Sequence, residues 1–186
     1  RSGAAPATQS RRRTRCTRRA RTVVLAVAAI VLVGATFNSL VAMCEEPDIA
    51  TRFRQAIDEF NGRLFFECHE TLEAIWMEDP NPRTRLFFQG LIQIAVGFYH
   101  LGNLNFKGAR NLLERGTTKV EAFAPERHGV DVASLVVAVA TCRGEIERLG
   151  RERLSEFDAA LVPTLNLGNL DELEAEWNRG SARTSV

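Results

Sequence analysis

Cysteine is scarce and scattered in this chain of 186 residues: Cys16, Cys44, Cys68 and Cys142 form no C-x-x-C pair, which argues against a zinc knuckle or a disulfide scaffold. Cys68 adjoins His69, but neighbouring helical positions point about 100° apart and do not face each other as nucleophile and base. Cys68 therefore reads as a small core-packing residue. A Ser-centred elbow and a phosphate-cradling glycine loop are both missing, so two common catalytic frameworks have no foothold. No β-strand is clearly signalled either, because the Val-rich run at 134–140 lies inside a longer, Ala-containing helical pattern.

Acid is absent from residues 1–22, which carry eight arginines. That leaves 16 basic against 23 acidic residues in 23–186, a balance of −7 that the overall +1 conceals. An acidic body is a poor nucleic-acid binder, since affinity for a phosphate backbone needs clustered Lys and Arg. No nucleic-acid partner is expected.

Residues 1–22 read as a basic targeting leader, and residues 23–43 as an uncharged apolar segment just long enough to cross a hydrocarbon core. It fits either a retained membrane anchor, and thus a membrane partner, or the apolar core of a cleaved signal. An Arg-rich, acid-free stretch ahead of such a core points to a plastid, at a membrane or thylakoid, with a bacterial inner membrane as the alternative. Residues 47–150 are expected to form one helical domain, and residues 151–186 a partly disordered C-terminal extension.

Within the domain the fold class is all-α. The periodicity predicts about five helices, at 49–60, 63–77, 83–102, 105–123 and 132–149, with the third as the buried centre of a compact bundle. The Asp-Pro-Asn-Pro run at 79–82 separates the second helix from the third, and Gly116 is a candidate interruption of the fourth. Gly90 and Gly97, seven apart, share a face that lets a neighbouring backbone come close. Residues 125–129 read as a loop, with His128 a solvated histidine. Leu165, Leu167, Leu170 and Leu173 suggest a further short helix in 163–177.

The candidate site joins the second and third helices. Gln89, Gln93 and His100 form one stripe on a helix that is otherwise apolar all round, and such groups are costly to bury without partners. His69 and Glu73, four apart on the preceding helix, are the expected partners, with Glu70 and Glu67 beside them. Imidazole plus carboxylates suits a base with a fixed tautomer or a divalent metal, for which His69, Glu73 and His100 are the candidate ligands. His69-Glu70-x-x-Glu73 lacks the second histidine of the zinc-protease pattern, so the metal would need His100 from across the interface.

The strings F-N-x-x-x-F-F-E-C-H-E-x-L-E-x-x-W from Phe60, F-x-Q-G-L-I-Q-I-A-V-G-F-Y-H from Phe87 and G-N-x-x-x-x-G-A from Gly102 resemble the DUF309 family over residues 60–113. The resemblance implies a small all-helical domain found in bacteria, archaea and plastid-bearing eukaryotes, with no established activity. Its motif positions fall on Glu67, His69, Glu70, Glu73, Gln89, Gly90, Gln93 and His100. Three functions are compatible with this reading. The first is a plastid membrane-associated binding or accessory protein whose buried His/Glu/Gln cluster organises the fold or holds a small ligand. The second is a hydrolase in which Glu73 or Glu70 activates water with His69, with or without a metal. The third is an adaptor that receives partner helices in an apolar groove.

Overall fold

The computed structural model describes residues 48–168. The expected leader at 1–22, the apolar segment at 23–43 and the residues beyond 168 lie outside the described residues. Among those described, five α-helices follow one another: α1 (Ile49–Asn61), α2 (Phe65–Glu78), α3 (Pro82–Gly102), α4 (Phe106–Glu121) and α5 (Val132–Leu149). No described helix is long and apolar enough to cross a membrane.

Local chemistry sets the helix ends. Asp48 caps α1 by accepting from the Thr51 amide at 3.0 Å, and Asn81 caps α3 through the Arg83 amide at 2.9 Å. Asn105 accepts from Gly108 at the start of α4, and Asp131 from Ser134 at the start of α5. Such caps satisfy amides that have no partner in the first helical turn, each contributing about 1 kcal/mol. Pro82 opens α3, where its missing N–H costs nothing.

Each helix packs on the next, and α3 lies between α2 and α4. Phe53, Ile57 and Phe60 of α1 are buried and reach past α2 to α3: the Phe53 ring meets Phe88 at 5.4 Å and Phe60 meets Phe98 at 5.9 Å, both edge-on. Cys68, Leu72 and Ile75 form the inner side of α2, and burial pushes the Cys68 thiol up to about 12, as a core-packing residue requires. The other neighbour of α3 comes much closer. A Cβ built on Gly90 would lie 2.6 Å from Val120, one on Gly97 2.8 Å from Leu113, and one on Gly116 2.7 Å from the Gly90 carbonyl oxygen. Gly116 does not interrupt α4. It is one of the contacts that let α4 lie against α3.

A two-stranded antiparallel hairpin, β1 (Glu126–Arg127) and β2 (Val130–Asp131), replaces the expected loop. It places His128 inside the protein rather than in solvent. The imidazole is 5% exposed, stacks on Phe88 at 5.9 Å and meets Phe87 edge-on at 5.7 Å. Residues beyond α5 also fold back. Leu154, Val162 and Leu165 are buried, the Asn61 side chain holds both the amide and the carbonyl of Leu165, and Arg63 donates to the carbonyls of Val162 and Pro163. Residues 163–168 are not helical, so the first part of the expected tail helix is absent.

These contacts make two predictions. Gly116→Ala should lower stability by about 2 kcal/mol because the new methyl meets backbone. Gly144→Ala, where nothing lies within 4 Å, should raise it by about 1 kcal/mol. Urea denaturation of the two variants should therefore move the midpoint in opposite directions. His128 is held down to about 3 by burial first and by the Arg127 charge second. Its neutral form is thus favoured in the fold, so the stabilisation is complete above the unfolded value of about 6.5 and is lost as pH falls towards 3. Stability should drop by up to about 1.4 kcal/mol per pH unit below 6.5. Urea titrations at pH 7 and pH 5 should show a smaller drop in His128→Asn, which tolerates the positive φ of 49° at this position.

Candidate functional site

The side of α3 left open between α2 and α4 carries the polar stripe read from the sequence. Gln89, Gln93, Val96 and His100 are half-buried along it, with Leu86 at 39% and Tyr99 at 40% exposure. The expectation that α3 has no solvent-facing side is corrected by these positions. The cause is geometric. The glycine side of α3 is taken by α4, α2 docks through Cys68, Leu72 and Ile75, and no described element covers the sector between them.

His69 and Glu73 do come together, one turn apart on α2, with Nε2 and Oε2 separated by 3.5 Å. They form an ion pair when the imidazole is protonated. The His69 Nδ1 is shielded and makes no hydrogen bond among the described residues. The other members of the expected cluster turn elsewhere. Gln93 accepts from the Lys119 ammonium of α4 at 3.0 Å, and His100 Nδ1 lies 3.2 Å from the Asn105 amide and against Gly108. Gln89 borders a shallow depression with Trp76, Pro80, Pro82, Arg85 and Leu86. Glu70 and Glu67 are exposed on α2, with Glu67 in its first turn, where a carboxylate favours the helix dipole.

The expected five-membered network is therefore a set of separate pairs spread over one surface. His100 does not join His69 and Glu73, and among the described residues no three His, Cys, Asp or Glu side chains gather in a way that could hold a metal ion. What links the pairs is aromatic. Phe66 lies 5.7 Å from the His69 ring and 5.6 Å from Tyr99, whose ring is 6.1 Å from His100, so four rings cross from α2 to α3 in a row. At the opposite end the Arg85 guanidinium sits over Trp76 at 4.4 Å, a cation–π contact worth about 0.5–1 kcal/mol at an exposed site.

Three participants were missed in the sequence. Phe66 falls on the same helical face as Glu70 and Glu73, a signal that could have found it, whereas Tyr99 points about 100° away from His100 and periodicity does not mark it. Lys119 was not marked, because its approach to Gln93 depends on how far α4 slides along α3.

Residues 53–112 match the family model described as "Domain of unknown function (DUF309)". The chain is also 36% identical over 108 residues to a Bacillus subtilis (strain 168) protein described as "Uncharacterized protein YpuF". That similarity covers 56% of this chain and 59% of the relative, so the chain spans less than two thirds of the relative's length. The matched segment runs from the first buried phenylalanine of α1 through α2 and α3 into α4, and so takes in every residue of the open face but Lys119 and its α4 neighbours. Over residues 53–112, then, the chain is similar to the DUF309 family.

Proposed function

We propose that this protein is a helical binding or accessory protein that works through the open face of α2, α3 and α4. The observation that carries this reading is the position of the polar stripe. Gln89, Gln93 and His100 lie at the surface beside half-exposed Phe66 and Tyr99. A network that organised the fold would be enclosed and bonded within itself. Here the pairs are separate and the aromatic groups between them remain in water, the composition of an interaction surface. The same reading extends to location. The arginines of residues 1–22 and the uncharged residues 23–43 suit a plastid membrane, with a bacterial inner membrane as the alternative. A fluorescent fusion of the full chain, followed with and without residues 1–43, tests that part.

Side chains that serve a partner should be dispensable for the fold. His69→Ala, Glu73→Gln and the double variant Phe66→Ser, Tyr99→Ser should each stay within about 0.5 kcal/mol of the parent, the range for surface substitutions. The measurement is thermal unfolding followed by circular dichroism at submicromolar protein. A loss above about 2 kcal/mol in any of them would return these residues to a structural role.

A further inference from the structure

The outward stripe of α3 has a second regularity. Leu86, Gln89, Gln93, Val96 and His100 are spaced 3, 4, 3 and 4 residues apart, the alternation of a heptad seam with Leu86, Gln93 and His100 at the a positions and Gln89 and Val96 at the d positions. All five are half-buried or exposed, with Gln93 and His100 touched at their edge by Lys119 and Gly108 of α4. A heptad seam suits a parallel helix, and polar side chains at a positions serve to set register. Glutamine and neutral imidazole each carry a donor and an acceptor, so each can pair with its own symmetry copy.

The flanks of this seam carry opposite charge. On α2 the outward carboxylates are Glu70 and Glu73. Glu70 has no cationic partner among the described residues, and Glu73 has only His69. On α4 the side towards the seam carries Arg115, which has no ion pair among the described residues, and Lys119, bonded to a neutral amide. The carboxylate of Glu114 is turned the other way, to Arg143 of α5. The two flanks are also in step. Phe66 beside Tyr99 and Trp76 beside Arg85 put Glu73 nearly abreast of Gln89 and Glu70 nearly abreast of Gln93. Gly97 against Leu113 and Gln93 against Lys119 put Lys119 near Ile92 and Arg115 near Val96, each within about one helical turn of those levels.

We infer that the open face is a homodimer interface, with the acidic edge of α2 lying over the basic edge of α4 in a second copy about a two-fold axis parallel to α3. This deepens the binding-face reading and rests on it, by naming the partner. An axis parallel to α3 keeps each residue's level along the helix to within about one turn, so Glu73 comes within reach of Lys119 and Glu70 of Arg115 of the second copy, twice per dimer. It also sets α3 parallel to its copy, as the heptad seam requires. An axis across the helices would stack acid on acid and make the seam antiparallel. With helices about 20–30 Å long and about 10 Å apart, three of them present on the order of 600 Å² per subunit, at the lower end for a specific dimer.

The test uses two charge-reversed forms of the full chain, one with Glu70→Lys and Glu73→Lys, the other with Arg115→Glu and Lys119→Glu. Energy transfer between donor- and acceptor-labelled chains in mild non-ionic detergent reads self-association. The parent chain should associate, each reversed form alone should associate at least tenfold more weakly, and the two reversed forms mixed should recover to within threefold of the parent. Raising salt from 0.05 to 0.5 M should weaken the parent pair. If a reversed form loses helicity, the neutral pair Glu73→Gln and Lys119→Gln replaces it, each expected to weaken association severalfold. A parent chain that stays monomeric at 100 μM overturns the dimer. It leaves the binding-face reading intact, because that reading is judged by the stability of the dilute variants. A dimer indifferent to all the charge changes, or a mixture that fails to recover, also overturns this interface.

Discussion

The close approach of α3 and α4 is the constraint on which the rest of the domain depends. Gly90, Gly97 and Gly116 let the two backbones meet where a single methyl on any of them would lie under 3 Å from a neighbouring atom. Interior glycines cost a helix about 1 kcal/mol each, and the return is a large, tightly packed surface between two long helices. Once α4 occupies the glycine side of α3, and α2 together with the α1 phenylalanines occupies the side of Phe88 and Phe98, one sector of α3 remains without a covering element. The glycines thus select which stripe of α3 meets water.

That selection explains why the polar residues of α2 and α3 act as pairs. Lys119 reaches Gln93 because Gly90 and Gly116 bring α4 within its length, and His100 rests on Gly108 for the same reason. His69 and Glu73 need only their own helix. The aromatic row of His69, Phe66, Tyr99 and His100 ties the two groups into one surface. Its exposed rings are the main support for the proposed binding role, since large aromatics left in water gain most when covered.

Much of the architecture was legible from periodicity. The inner residues of α1, the breaks at Gly62 and at residues 79–82, and the span of α5 follow from apolar spacing, caps and proline, all of which act over a few residues. The shared face of Gly90 and Gly97 correctly foretold a close neighbour. The stripe of Gln89, Gln93 and His100 was correct as a stripe and misplaced within the molecule, because 100° per residue says which side chains share a face and not whether another helix lies over it. His128 was misplaced for a related reason. A short loop between polar neighbours resembles solvent-facing sequence, and only the hairpin folding back onto Phe87 and Phe88 encloses the ring.

By itself, then, the sequence determined the helical class, the order and approximate ends of five helices, the resemblance to DUF309 and the side chains that travel together on each helix. These are properties of local hydrogen bonding and of the helical repeat. Only the tertiary structure decided that the polar stripe faces outward, that Lys119 partners Gln93 and that His69 and His100 serve different neighbours. Those outcomes depend on the sliding and rotation of one helix against another, which close packing at a few glycines sets and no local pattern encodes.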